Sequence, residues 1–205
     1  MAGPFFLVFE GSGCTDTKTR PVFRLLALTD IERLQRLLDH EEMARNLKRV
    51  PFPYTQEAAA EFVRMIDEQS LELPPMRGLK VGGKSVWAIH CEGVLAGVLG
   101  LSPGVGAEQG DLTLGYWLGK DFWGRGLATQ AVSLACRWAF QEVGARRVSA
   151  SVFAWNPASV KVLEKNGFRY EGCRRRAIVR LGQECDLLNY GLLPEELRQI
   201  TKIKE

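Results

Sequence analysis

Histidine is almost missing from this chain. Only His40 and His90 occur in 205 residues, which leaves little from which to build a zinc site or a Ser/His/Asp triad. Cysteine is scattered: Cys14, Cys91, Cys136, Cys173 and Cys185 form an odd set, and no two have metal-ligand spacing. No metal is expected. Cys91 and Cys136 fall in apolar segments where a thiol behaves as a small core residue, so the chain reads as reduced and cytoplasmic. Neither sign of charge dominates. Lys and Arg number 27 against 24 Asp and Glu, and a net charge of +3 lacks the basic excess of a nucleic-acid binder. No apolar run approaches the roughly 18 residues of a membrane span. The apolar patch Phe5–Phe9, followed by Cys14, has no cation ahead of it and is cut by Glu10, which argues against an export signal. Residues 1–18 are expected to be a loose extension, 19–194 one domain, and 195–205 a tail of helical character.

What the chain does have is a clear succession of element signals. Pro21–Leu28 alternates as a first strand, and Thr29 or Asp30 then caps a helix with the apolar stripe Ile31, Leu34, Leu37 and Leu38. A second helix is expected after Thr55, with Ala58, Phe62, Met65 and Ile66 at helical spacing. Ser70–Lys84 turns to Pro, Gly and Lys and reads as a loop. "VWAIHC" and "VLAGVLGL" flank Glu92-Gly93 as a hairpin, and the loop Pro103–Gly110 leads into the strand "DLTLGYWL". From Leu127 the apolar period becomes helical through Ala131, Leu134, Ala135 and Trp138, until Gly144 stops it. "RRVSASVF", "SVKVLEKNG" and "ECDLLNYGLL" follow as strand, helix and strand. The class is α+β: one mixed domain with a strand–turn–helix at its centre.

The turn "GKDFWGRGLAT", Gly119–Thr129, admits three phosphate-binding designs. A nucleotide triphosphatase loop needs Lys and Ser or Thr where Arg125 and Gly126 stand, and losing both excludes it. A dinucleotide fingerprint needs a third glycine where Thr129 stands, and an acid at the end of the next strand, where "RRVSASVF" has none. The third design fits. Gly124-Arg125-Gly126 lies between a strand and a helix N-terminus, where unpartnered N–H groups and the helix dipole attract an anion. Small residues at Gly124, Gly126 and Ala128 let a pyrophosphate reach the main chain. Each amide bond to a charged oxygen contributes roughly 1.5–3 kcal/mol, so several together anchor a nucleotide without metal.

"LGYWLGKDFWGRGLATQAV" followed by "NPASVKVLEKNGF" resembles the GNAT superfamily of acyl-CoA-dependent N-acyltransferases. Within that superfamily the chain is similar to the RimJ/RimL-type protein N-terminal acetyltransferases, from about Thr19 to Leu193. The family's pyrophosphate motif, Q/R-x-x-G-x-G/A, reads here as Trp123 to Ala128. The resemblance implies a mixed, mostly antiparallel sheet whose middle strands splay, flanked by helices, with acetyl-CoA as cosubstrate. It implies CoA contacts from Leu118, Trp123, Gly124, Arg125, Gly126, Ala128, Thr129, Asn156 and Ser159, with a main-chain N–H near Leu118 polarising the thioester oxygen.

The implied reaction is direct attack of a neutral amine on the thioester. The Tyr that many members carry seven residues after the Asn is Leu163 here, and Ser159 matches a RimJ/RimL serine proposed to relay a proton to the departing thiolate. Where the family often has Glu on the strand before the turn, this chain has Thr113. Asp111, two residues earlier on the same strand face, is the candidate base acting through water, and Glu184, Asp186 and His90 are weaker ones. Neutralising a Lys amine at pH 7 costs roughly 4.6 kcal/mol, against about 1.4 for an α-amine, so a site without a clear base favours the α-amine. The expected acceptor is a protein N-terminus. A small-molecule amine is the alternative within the enzyme class, and a non-catalytic CoA-binding module is the alternative outside it. The cluster Arg174, Arg175 and Arg176 reads first as a solvated strand end. Oligomeric state, monomer or homodimer, is not legible.

Overall fold

A computed structural model of the chain describes residues 20–68, 86–103 and 110–198. Its strands are β1 (Val22–Leu25), β2 (Val86–Cys91), β3 (Val94–Pro103), β4 (Asp111–Leu118), β5 (Arg147–Phe153), β6 (Arg169–Arg180) and β7 (Gln183–Leu192). They form one sheet in the order β1-β2-β3-β4-β5-β7-β6. Every neighbouring pair is antiparallel except β4 with β5, which is parallel. The helices are α1 (Ile31–Leu38), α2 (Glu41–Asn46), α3 (Gln56–Glu68), α4 (Leu127–Gln141) and α5 (Pro157–Lys165). The single parallel pair follows from its connection: α4 carries the chain from the end of β4 back to the start of β5, as a parallel pair requires.

The apolar spacing places the helices as expected. Leu34, Leu37 and Leu38 of α1 are buried, and α1 packs on β3. Leu127, Ala131 and Ala135 of α4 are buried against the sheet, with Trp138 edge-to-face on Trp87 of β2 at 5.1 Å. Leu99, Leu101 and Leu112 fill the centre of the same core.

Three features depart from the sequence reading. The first strand stops at Leu25 rather than Leu28, because Asp30 draws the chain into a turn by accepting from Ala27 N–H (2.9 Å) and pairing with the Arg24 guanidinium. The short helix α2 had no clear apolar stripe to announce it. Strand β6, twelve residues long, is mostly exposed and so lacks the alternation that marks a half-buried strand. Pairing with β7, not local pattern, makes it a strand. The loop expected at Ser70–Lys84 lies outside the described residues, as do residues 104–109 of the next loop and most of the C-terminal tail; Pro194–Glu196 forms a 3-10 turn.

One buried polar residue fixes α5 against the start of α4. Asn166, fully buried just past the end of α5, donates from Nδ2 to the carbonyls of Val162 (2.9 Å) and Thr129 (3.2 Å). Removing both bonds leaves the helix-end carbonyl of Val162 without its Asn166 partner and opens a small cavity. Asn166→Ala is expected to lower unfolding free energy by about 2–3 kcal/mol, measured by urea denaturation. A loss below about 0.5 kcal/mol would show that the two helices hold together without this clamp.

Candidate active site

The parallel pairing of β4 with β5 covers only Asp111–Leu114 against Arg147–Ala150. Beyond it, β4 keeps its ladder with β3 out to Leu118, and β5 keeps its ladder with β7 out to Phe153. Each strand is held on its outer edge, and the inner edges part. The bond from Gly119 N–H to the Ala96 carbonyl (2.8 Å) fixes which groups face the gap. Because successive residues of a strand point their polar groups to opposite edges, Leu118 and Tyr116 turn their N–H groups away from β3, into the gap. The bond from Ala154 N–H to the Asp186 carbonyl (3.0 Å) likewise turns Ser151 and Phe153 of β5 inward. An extended amide-bearing chain could pair with both edges.

The glycine turn closes one side of the gap. A Cβ on Gly119 would come 2.5 Å from Leu37 Cδ2, so any larger residue there would make that α1 side chain shift. Gly124 and Gly126 have φ of +74° and +73°, the left-handed region that favours glycine. Helix α4 then starts at Leu127 without a side-chain cap, and its first internal bond runs from Gln130 N–H to the Gly126 carbonyl (3.1 Å). The N–H groups of Leu127, Ala128 and Thr129 therefore have no partner within the helix, the condition for anion binding. Trp123 donates its indole N–H to the Leu118 carbonyl at 2.7 Å, and Arg125 lies over the Phe122 ring at 5.6 Å. Trp123 thus ties the turn to the end of β4, and what it offers a ligand is its half-exposed ring rather than its N–H.

Across the gap, Asn156 caps α5 by accepting from Ser159 N–H (3.1 Å). Its Nδ2 makes no described hydrogen bond and stays available. Ser159 Oγ lies 2.8 Å from the hydroxyl of Tyr116, a residue the sequence reading missed. Tyr116 sits on β4 in alternation with Leu112, Leu114 and Leu118, so it looked like one more core side chain. The available signal was that a buried phenol needs a hydrogen-bond partner. Burial pushes the Tyr116 hydroxyl up to about 12, and its bond to Ser159 opposes that in part.

Passing the Tyr116 proton to a thiolate with pKa near 8.5 would run uphill by roughly 3.5 pK units, about 5 kcal/mol. Tyr116 therefore stays protonated at neutral pH. Its hydroxyl also donates to the Ser159 main-chain carbonyl at 3.3 Å, and in the hydroxyl pair either oxygen can donate; with Tyr116 as donor to Oγ, the serine O–H is left free.

The structure does not bring the candidate bases to this pair. Asp111 starts β4, seven residues before Leu118 and roughly 23 Å away along the strand, and Arg146 pairs with it at 2.9 Å. Asp111 shares the strand face of Thr113, opposite to that of Tyr116, and lies at the far end of the strand. Glu184 pairs with Arg176 at 3.2 Å, and Asp186 accepts from Arg176 N–H at 2.7 Å. His90 lies on β2, two strands from β4, its Nε2 buried without a partner and its pKa lowered chiefly by burial. Among the described residues, no group of three or more His, Cys, Asp or Glu could hold a metal ion, and no helix is long and apolar enough to cross a membrane.

The splayed parallel pair, the glycine turn into an uncapped helix and the Tyr116–Ser159 hydroxyl pair are gathered around the end of β4. The acetyltransferase (GNAT) domain family matches residues 20–169, and the chain belongs to it. It is therefore an N-acetyltransferase of the acyltransferase class. The chain is 27% identical over 177 residues to the uncharacterised N-acetyltransferase p20 of Bacillus licheniformis, covering 86% of this chain and 94% of p20. It is also 27% identical over 175 residues to YdaF of Bacillus subtilis (strain 168), provisionally named a ribosomal N-acetyltransferase, covering 84% and 91%. Its fold is shared with RimL, the ribosomal L7/L12 alpha-N-protein acetyltransferase solved with coenzyme A, at 20% identity and a TM-score of 0.71, covering 88% and 96%.

The raised Tyr116 pKa has a thermodynamic consequence. An unfolded phenol ionises near pH 10, while Tyr116 in the fold holds its proton to about 12. The stability it contributes is full below pH 10 and is lost as pH rises between those values. The difference in unfolding free energy between wild type and Tyr116→Phe is expected to move by about 1.4 kcal/mol between pH 8 and pH 11, wild type losing more. Urea denaturation at the two pH values measures it, and a constant difference would show a phenol with an ordinary pKa.

Proposed function

We propose that this enzyme transfers acetyl from acetyl-CoA to the α-amine of a protein N-terminus. The observation that carries the reading is the gap between β4 and β5, open where Leu118 and Tyr116 present N–H groups and flanked by the uncapped start of α4. The pyrophosphate of the donor would lie on the amides of Leu127, Ala128 and Thr129 at Gly124–Gly126, with its pantetheine arm paired along the gap and held by Asn156 Nδ2. The Leu118 N–H would meet the oxygen that gains charge as the amine attacks. Ser159, oriented by Tyr116, would donate to the leaving sulfur. With this donor the reaction belongs to the cytoplasm.

Support for an α-amine comes from the acids. Asp111, Glu184 and Asp186 are all engaged in ion pairs or hydrogen bonds, so no clear base stands ready to strip a proton from a Lys amine. An α-amine near pKa 8 costs about 1.4 kcal/mol to neutralise at pH 7 and needs little help. YdaF and RimL, named for ribosomal and α-N-protein acetylation, point the same way.

The test is acetyl-CoA turnover against pooled N-terminal peptides, Lys-only peptides with blocked α-amines, polyamines and amino acids, read by CoA release and mass spectrometry. N-terminal peptides are expected to give a kcat/KM at least about tenfold above every other pool. Preferred turnover of a small amine would replace the acceptor, and CoA binding with no turnover would replace enzyme with sensor.

A second measurement addresses Ser159. Its N–H, not its hydroxyl, receives the Asn156 cap, so Ser159→Ala keeps the start of α5. The variant is expected to lose about 10²–10⁴ in kcat at pH 6. The loss should shrink toward pH 9, where a thiolate of pKa near 8.5 leaves without an acid. A defect that is flat or absent across that range removes the hydroxyl from the chemistry.

A further inference from the structure

Strand β6 does not run evenly beside β7. Arg174 pairs with Leu187 and Ile178 with Cys185, so Arg175, Arg176 and Ala177 face the single residue Asp186. This bulge is held in place. Asp186 Oδ1 accepts from Arg176 N–H, and Arg176 takes the left-handed φ of +46°, unusual for a long side chain. The result is three consecutive exposed arginines.

A second basic segment is fastened beside them. Arg180, near the end of β6, donates to the carbonyls of Ala44 and Val50, which pins the stretch running on from α2. Arg45 lies 4.9 Å over the ring of Trp155, and Trp155 stacks on Phe153. Arg174 and Arg49 crowd Lys48; burial first, then these two cations, lower its pKa. Arg176 is paired with Glu184. Arg45, Lys48, Arg49, Arg174 and Arg175 form no ion pair with a described carboxylate. Five like charges are thus brought together from two distant parts of the chain without a counter-charge among the described residues.

Their position relates them to the gap. Arg174 lies across from Leu187, which lies across from Phe153, so two strand spacings, roughly 10 Å, separate Arg174 from the inner edge of β5. The glycine turn follows β4, on the other side of the gap from these cations. Charge that begins about 10 Å from the inner edge of β5 lies three or so residues of extended chain away, farther than a small amine spans.

We propose that Arg45–Arg49 and the β6 bulge Arg174–Arg176 form the acceptor surface and select polypeptides carrying acidic side chains about three to six residues behind the α-amine. This deepens the proposed function and rests on its polypeptide acceptor. The charges act by steering and by pairing at the surface, so the preference is carried by KM and weakened by salt.

The test uses the full enzyme, acetyl-CoA and peptides that share their first two residues. One set carries Asp and Glu at positions three to six, one Asn and Gln there, and one the acids at positions ten to thirteen. The first set is expected to exceed the second by about tenfold in kcat/KM, through KM, with the third close to the second. Raising salt from 50 to 500 mM, or introducing Lys48→Gln with Arg174→Gln and Arg175→Gln, should bring the ratio toward one; circular dichroism checks that the variant is folded. Equal turnover of acidic and neutral peptides overturns the acidic surface while leaving the N-terminal acceptor standing. Turnover of small amines alone overturns both. Tight binding of a short RNA without acidic preference overturns it in favour of a nucleic-acid surface.

Discussion

The divergence of β4 and β5 is the constraint on which the rest depends. A main-chain N–H without a partner is costly when buried, and the sheet opens here only because each strand is fully paired on its other side. The ladders to β3 and β7 hold the two strands on separate courses, and the natural twist of each carries them apart past Leu114 and Ala150. What would be a defect in an ordinary sheet becomes a slot lined with aimed hydrogen-bonding groups.

Everything chemical in the site is attached to the rims of that slot. The glycine turn is tied to the end of β4 by Trp123 and packed under α1 at Gly119. The start of α5, carrying Asn156 and Ser159, follows the end of β5 directly. Two contacts bridge the rims: Tyr116 to Ser159, and Asn166 to the first turn of α4. These cross-links set the distance between anion turn and serine, because neither α4 nor α5 could be held so closely by apolar packing alone, which tolerates sliding. The acceptor surface is also assembled across elements, with Arg180 of β6 holding the stretch after α2 beside the bulge.

Much of this was legible in the residues. Gly124 and Gly126 marked the turn into α4, where the structure gives both a left-handed φ, and "SVKVLEKNG" marked the helix α5, which Asn156 caps. The resemblance to acyl-CoA-dependent transferases implied the splay, which the short β4–β5 pairing shows, and it is the source of the donor and the Ser159 role proposed above. Tyr116 was not legible. On a strand whose inward face reads Leu112, Leu114, Leu118, a tyrosine looks like packing until α5 is laid across it. For Asp111, period-two alternation gave the strand face it shares with Thr113, but not its distance from Ser159 or its pairing with Arg146. Strand β6 escaped notice because an exposed, bulged partner strand has no apolar rhythm.

The sequence by itself determined what depends on neighbours within a few bonds: left-handed glycines, helix caps, apolar stripes, the shortage of histidine and of metal-ligand spacings. These are set by φ, by local hydrogen bonds and by side-chain chemistry, all carried in adjacent residues. Only the tertiary structure decided what depends on pairing between distant segments. It set where β4 and β5 part, which hydroxyl meets Ser159, which acids are already paired, and that the cations of 45–49 and 174–176 stand together. Strand register and twist fix those distances, and they arise only when the whole sheet has formed.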